Sequence, residues 1–107
     1  MILNSEFVDL EKTHTGVLAK ILLKDCGNIN NIGIEILQPH GGGPKHPDLH
    51  RHDHMFIVVE GEIRAEISGV TKIIKKDESI IVDGRLPHSI WNDAETPAKV
   101  VKISINR

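Results

Sequence analysis

Residues 42 to 67 read Gly-Gly-Pro-Lys-His-Pro-Asp-Leu-His-Arg-His-Asp-His-Met-Phe-Ile-Val-Val-Glu-Gly-Glu-Ile-Arg-Ala-Glu-Ile. Two features of this stretch decide the fold. Met55 to Val59 is apolar on both faces, and after Glu60-Gly61 the residues Ile63, Ala65 and Ile67 alternate with Arg64, Glu66 and Ser68. An apolar run, a glycine turn and a strict period of two make a β-hairpin with one face in a core.

The same pattern extends in both directions. Val17 to Leu23 forms one strand, and Ile32, Ile34 and Ile36 alternate with Gly33 and Glu35 in the next, so each offers a face suited to a core. A Ser68-Gly69 turn leads into Thr71 to Lys76, Ser79 to Val82 follows, and Val101, Ile103 and Ile105 close the chain in alternation with Lys102, Ser104 and Asn106. That is about nine strands with almost no helical period, an all-β pattern that fits a sandwich, a jelly roll or a closed barrel. With 107 residues and no internal repeat, the expectation is one domain over residues 1–107. Gly41-Gly42-Gly43 reads as a sharp loop because strands continue on either side.

Composition removes several function classes. The net charge of −2 gives no basic field for nucleic acid, and no Lys/Arg cluster suggests a membrane surface. No segment reaches the roughly 20 apolar residues of a membrane span, and MILNSEFVDLEK lacks the basic and apolar regions of a signal peptide. A single cysteine, Cys26, excludes an internal disulfide and has no basic neighbour to activate it. The expectation is a cytoplasmic protein whose partners are small molecules. There is no P-loop, dinucleotide fingerprint or Gly-x-Ser-x-Gly elbow.

The chemistry lies in the histidines. Four of the seven fall between positions 46 and 54, immediately before a strongly apolar strand. Asp48, His50, His52 and His54 occupy every second position and so would share a strand face. Residues two apart in a strand are about 7 Å apart, but residues four apart are about 13 Å apart and cannot meet at one ion without a bend. A reversal around Arg51 to Asp53 would let Asp48 and His50 end one strand and His54 begin the next, facing them. His88, approached through Pro87 from the strand Ile80 to Val82, completes a candidate ligand set of Asp48, His50, His54 and His88. Such a mixture of imidazoles and a carboxylate suits Zn, Fe, Mn or Ni. Solvated loop histidines are the plainer reading, and the placement before a buried strand favours a built site.

At these residues the chain resembles the cupin superfamily. Its first motif (Gly, five residues, His-x-His, three or four residues, Glu, six residues, Gly) is similar to Gly42, Asp48-x-His50, His54 and Gly61 here, over residues 42–61. Its second motif (Gly, five residues, Pro-x-Gly, two residues, His, three residues, Asn) is similar to residues 77–92, with Pro87, His88 and Asn92 in place. Asp77 and Asp83 stand where the motif has its glycine and proline, and Gly84-Arg85 displaces the turn glycine. The resemblance implies a jelly-roll barrel with a divalent metal in its mouth held by His50, His54 and His88, and a homodimer paired through a sheet edge. His54 replaces the family's glutamate and Asp48 its first histidine, which leaves His46 and His52 as competing ligands.

The remaining residues refine this picture. Phe56 and Val58 share the parity of His54 and read as ordinary barrel core, with lining of a cavity below the metal as the alternative. Trp91 falls on the face opposite His88, suited to outer packing or a dimer contact. Arg85 reads as a solvated turn arginine, with pairing to a substrate carboxylate as the alternative. Glu60, Glu62, Lys72, Lys75 and Lys76 read as a soluble surface and edge protection. The leading function is a metalloenzyme acting on an enol, keto acid or sugar acid, with His52 or Asp48 as candidate base. The rival is a binding or sensing module without turnover.

Overall fold

A computed structural model describes residues 1–46 and 52–107. Among them the regular structure is entirely β. The strands are β1 (Val8–Asp9), β2 (Thr15–Cys26), β3 (Ile29–Gly43), β4 (His52–Glu60), β5 (Glu62–Ile67), β6 (Val70–Lys75), β7 (Ser79–Val82), β8 (His88–Trp91) and β9 (Ala98–Asn106). All the sequence-read strands are present, β2 and β3 being longer than their apolar runs.

Every pairing is antiparallel, and the hydrogen-bonded order is β6-β5-β8-β3-β9-β4-β7, with β2 joined to β3 and β1 to β2. The long β3 makes the jelly roll possible. Its first part pairs with β9 from Ile29 to Leu37, and its last residues cross to β8 through Gly42↔Trp91 and Gly43↔Ile90. One strand thus serves both sheets of a nearly closed barrel. Gly42 is glycine because β8 lies against it: a Cβ there would collide with the Ile90 carbonyl oxygen and sit 2.7 Å from Trp91 Cα. Gly61, at φ 75°, makes the tight turn of the β4–β5 hairpin.

Between the sheets, Val17, Leu37, Phe56, Val58, Val82, Ala98 and Val100 face Ile63, Ala65, Ile74 and Ile90, all at most 5% exposed. The hairpin reading of Ile63 and Ala65 as core holds. The reading of β3 and β9 is corrected. Gly33, Glu35 and Leu37 are the buried set of β3, so Ile32, Ile34 and Ile36 point outward. In β9, Ala98, Val100, Lys102 and Ser104 face inward, and Val101, Ile103 and Ile105 face out. The register aligns these outer residues across β3, β9 and β4, as Ile34↔Val101↔Ile57 and Ile32↔Ile103↔Met55. A half-buried apolar face therefore covers the outside of the sheet.

The edge strand β6 is exposed except for Ile74, and Lys72 and Lys75 lie on it as edge protection requires. Residues 92–96 are fastened by Asn92, which is 1% exposed. Its Nδ2 donates to the carbonyls of Leu37 (3.0 Å), Gln38 (3.3 Å) and Thr96 (2.9 Å), and its Oδ1 accepts from Ala94 N (3.0 Å). The motif asparagine is thus a buried tie between β3 and the loop after β8.

Candidate metal and ligand site

The turn that delivers His88 uses different residues from the family motif and reaches the same result. Asp77 stands in place of glycine at φ 69°, a left-handed conformation that aspartate tolerates better than most side chains. Asp83 stands in place of proline. Its carbonyl accepts from Leu86 N (3.0 Å) and its Oδ1 accepts from Arg85 N (2.9 Å), so the side chain shapes the turn that a proline would pre-set. Arg85 pairs with Asp83 at 2.7 Å, and Arg107 bridges Asp53 (2.8 Å) and Asp83 (3.1 Å). These bonds, Arg85's first, hold the Asp83 carboxyl well below the usual carboxylate range. Arg85 is the turn arginine that the sequence suggested, and its side chain is 71% exposed.

From this turn the chain enters β8, and His88 points into the barrel. It is 5% exposed, and its Nδ1–H donates to the Leu86 carbonyl at 2.8 Å. A carbonyl only accepts, so this bond places the ring proton on Nδ1 and the lone pair on Nε2, the tautomer that binds metals. His54, 3% exposed on β4, shares a 3.0 Å hydrogen bond between Nδ1 and Ser104 Oγ of its ladder partner. The two rings lie 5.4 Å apart between centroids. The structure thus brings two of the four expected ligands together, each with Nδ1 engaged.

Asp48 and His50 lie outside the described residues. Among the described residues no group of three His, Cys, Asp or Glu side chains is placed to hold an ion. The reversal expected around Arg51 to Asp53 is corrected. His52 and Asp53 already belong to β4, pairing with Asn106 and Ile105, so these two residues are strand and not turn. His52 therefore shares the face of His54, and their rings meet edge to face at 5.5 Å. It does not line the cavity described next.

Below the histidines opens a cavity of about 300 Å³, at the small end for ligand sites. Phe56 and Ile90 give it an apolar lining, and His54 and His88 line it with His14, Glu35, His46 and Lys102. Phe56 therefore faces the ligand space, while Val58, 0% exposed, belongs to the core alone. Burial pushes His14 below its ordinary value, Glu35 pulling up and Lys102 and Lys45 pushing down, so its ring is neutral at pH 7. Trp91 lies opposite His88 as alternation required, its Nε1 donating to Ser89 Oγ at 3.0 Å.

Sequence reasoning missed His14, Glu35, Lys102 and Ser104. A signal was present: Glu35 is the lone charge between two isoleucines, and Lys102 the lone charge between Val101 and Ile103. Taking each apolar stripe as the core face assigned these residues to solvent.

A family model for the cupin domain matches residues 33–105, more than half of the chain. The chain belongs to the cupin family. No curated protein matches this cupin in sequence. Among solved structures it is similar to a protein described as a predicted oxalate decarboxylase from Thermotoga maritima, with 18% identity, all of both chains covered and a TM-score of 0.84. It is also similar to KdgF from Halomonas sp., at 18% identity and a TM-score of 0.78 over 99% of this chain and 93% of the other. A third likeness is the cupin domain of an XRE family transcriptional regulator from Enterobacter cloacae, at 18% identity and a TM-score of 0.75 over 86% and 98% of the two chains. At such identities the likeness establishes a shared fold. No helix is long and apolar enough to cross a membrane among the described residues.

Proposed function

We propose that this cupin binds a divalent metal ion at the barrel mouth and acts there on a small oxygenated molecule such as an enol, keto acid or sugar acid. The observation that carries the reading is the pair His54 and His88: buried, 5.4 Å apart between ring centroids, lining a cavity, with the Nδ1 of each already engaged. Protein-held Nδ1 atoms are the usual support of metal-binding histidines. The donor set therefore fits an ion. His54 and His88 would hold it with His50, and Asp48 as a fourth ligand, the last two lying outside the described residues. Nitrogen-rich sets with a carboxylate accept Fe, Mn, Zn or Ni. When bound, the ion supplies a Lewis acid for a carbonyl or enolate oxygen.

The chain's own residues do the rest. Phe56 and Ile90 keep the cavity floor dry, which strengthens polar contacts above it. Ser104 and the Leu86 carbonyl fix the two imidazoles. His52, whose ring meets that of His54, is the candidate base, with Asp48 as the alternative. Elemental analysis of untagged protein tests the metal, and loss of turnover on chelation tests its use.

A second reading, a ligand-binding or sensing module, is favoured by one feature: His54 occupies the position where the family motif has glutamate, a residue suited to proton transfer. A metal-bound protein that binds small acids without converting them supports that reading. For the assembly, we place a second copy of the chain against the outer apolar face of β3, β9 and β4. Homodimers commonly form by a two-fold pairing of like surfaces, and the half-buried apolar face of Ile32, Ile34, Ile103, Met55 and Ile57 suits one. The exposed, unpaired Cys26 agrees with a reducing compartment, the cytoplasm.

A further inference from the structure

Beside the apolar lining of the cavity, two charged side chains face inward without a hydrogen bond or ion pair among the described residues. Glu35 is only 6% exposed, yet its carboxylate has no hydrogen bond or ion pair among the described residues. Both of its oxygens are either bonded or reached by solvent, since no buried side-chain oxygen is left orphaned, so the carboxylate opens onto the cavity it lines. Lys102 lines the same cavity, half-buried, and is likewise without a side-chain hydrogen bond or ion pair among the described residues.

The sheet register explains their placement. Glu35 pairs with Val100 and Lys102 with Gly33, so the two are diagonal neighbours on one inner face. Gly33 contributes no side chain beside Lys102, and Lys102 also pairs with Phe56 on β4. Opposite charges so close usually meet, and here no ion pair joins the two among the described residues. A carboxylate aimed into a partly apolar cavity gains nothing for the core, and folded chains seldom place one there without a partner unless it has another use.

We infer that Glu35 and Lys102 are the ligand-recognition pair of this cavity, and that the ligand is a small hydroxy acid. Lys102 takes the carboxylate of the ligand through a charge-assisted hydrogen bond, and Glu35 accepts from one of its hydroxyls. The chemistry of the two groups disfavours ligands that carry only one kind of polar group. A neutral polyol leaves Lys102 unmatched, a simple fatty acid leaves Glu35 unmatched, and His14, neutral at pH 7, adds no charge to either side. The inference rests on the reading of the cavity as a ligand site, and is independent of which metal the histidines hold.

The test is calorimetric titration of the full chain with three probes: gluconate, which has hydroxyls and a carboxylate, sorbitol, which has hydroxyls alone, and hexanoate, which has a carboxylate alone. Gluconate is expected to bind best. Lys102→Met is expected to weaken gluconate by about 10-fold or more and to abolish its advantage over sorbitol, and Glu35→Gln to reduce its advantage over hexanoate by a similar factor. Metal content, measured on the same samples, is expected to be unchanged in both variants. Protein that holds metal but binds gluconate no better than the other probes overturns the inference while leaving the metal reading intact. Loss of metal in His88→Ala with gluconate recognition retained separates the two in the other direction and supports the pair. Thermal melting provides a second check that needs no ligand: Glu35→Gln is expected to melt no lower than wild type, because the carboxylate has no protein partner to lose among the described residues. A lower melting temperature would show that the carboxylate holds the fold together and would overturn the assignment.

Discussion

The two ends of β9 present opposite environments on one face. Ala98 and Val100, 1% and 0% exposed, close the barrel among Leu37, Val58 and Ile63. Two and four residues further along the same inner face come Lys102, lining the cavity, and Ser104, bonded to His54. β4 repeats the gradient in reverse, from His54 through Phe56 to Val58. The lesson is that one continuous strand face carries both the core and the chemistry. Stability comes from the closed end, and the open end is free to hold polar groups that a core would reject.

If that division is real, substitutions should separate along it. The largest loss of stability is expected for Leu37→Ala at the closed end, about 4 kcal/mol in chemical denaturation, since the side chain is 0% exposed and its removal leaves a cavity. Asn92→Ala follows, at about 3 kcal/mol, because four hydrogen bonds of a buried amide are lost together. Ile103→Glu, on the outer face, is expected to leave the barrel folded and convert the proposed dimer to a monomer in light scattering. His88→Ala at the open end should cost less than Asn92→Ala in the absence of added metal, which would blur the comparison if it unfolded the chain instead.

The smallest expected effect is that of Asp83→Asn. Asp83 lies below its ordinary carboxyl value in the folded chain, through Arg85 and then Arg107, so it stabilises the fold above the unfolded carboxyl range. That contribution fades as pH falls below about 4. The variant should therefore melt slightly below wild type at pH 7, with the gap closing in acid. A gap that is constant with pH would assign the effect to turn shape rather than charge.

Much of the fold was legible because its strongest signals are local. The β4–β5 hairpin, the edge lysines of β6 and the outward Trp91 follow from alternation and one turn glycine. The sequence put His54 and His88 on one site, and the fold brings their rings together; the role of Asn92 as a tie to Leu37 and Gln38 requires the fold. What misled was the rule that the apolar stripe faces the core. In β3 and β9 the isoleucine stripe faces out and the stripe with Glu35 and Lys102 faces in, because a barrel mouth is a lined cavity rather than a core. The start of β4 at His52 also escaped, since Asp53 pairs with Ile105 in a ladder that sequence alone does not reveal.

The most direct test of the account is elemental analysis of untagged protein, wild type beside His88→Ala, purified without chelator. The account predicts about one divalent ion per wild-type chain and near-complete loss in the variant, with the fold retained. Equal metal in both, or none in wild type after reconstitution with Fe, Mn, Zn and Ni, would contradict it.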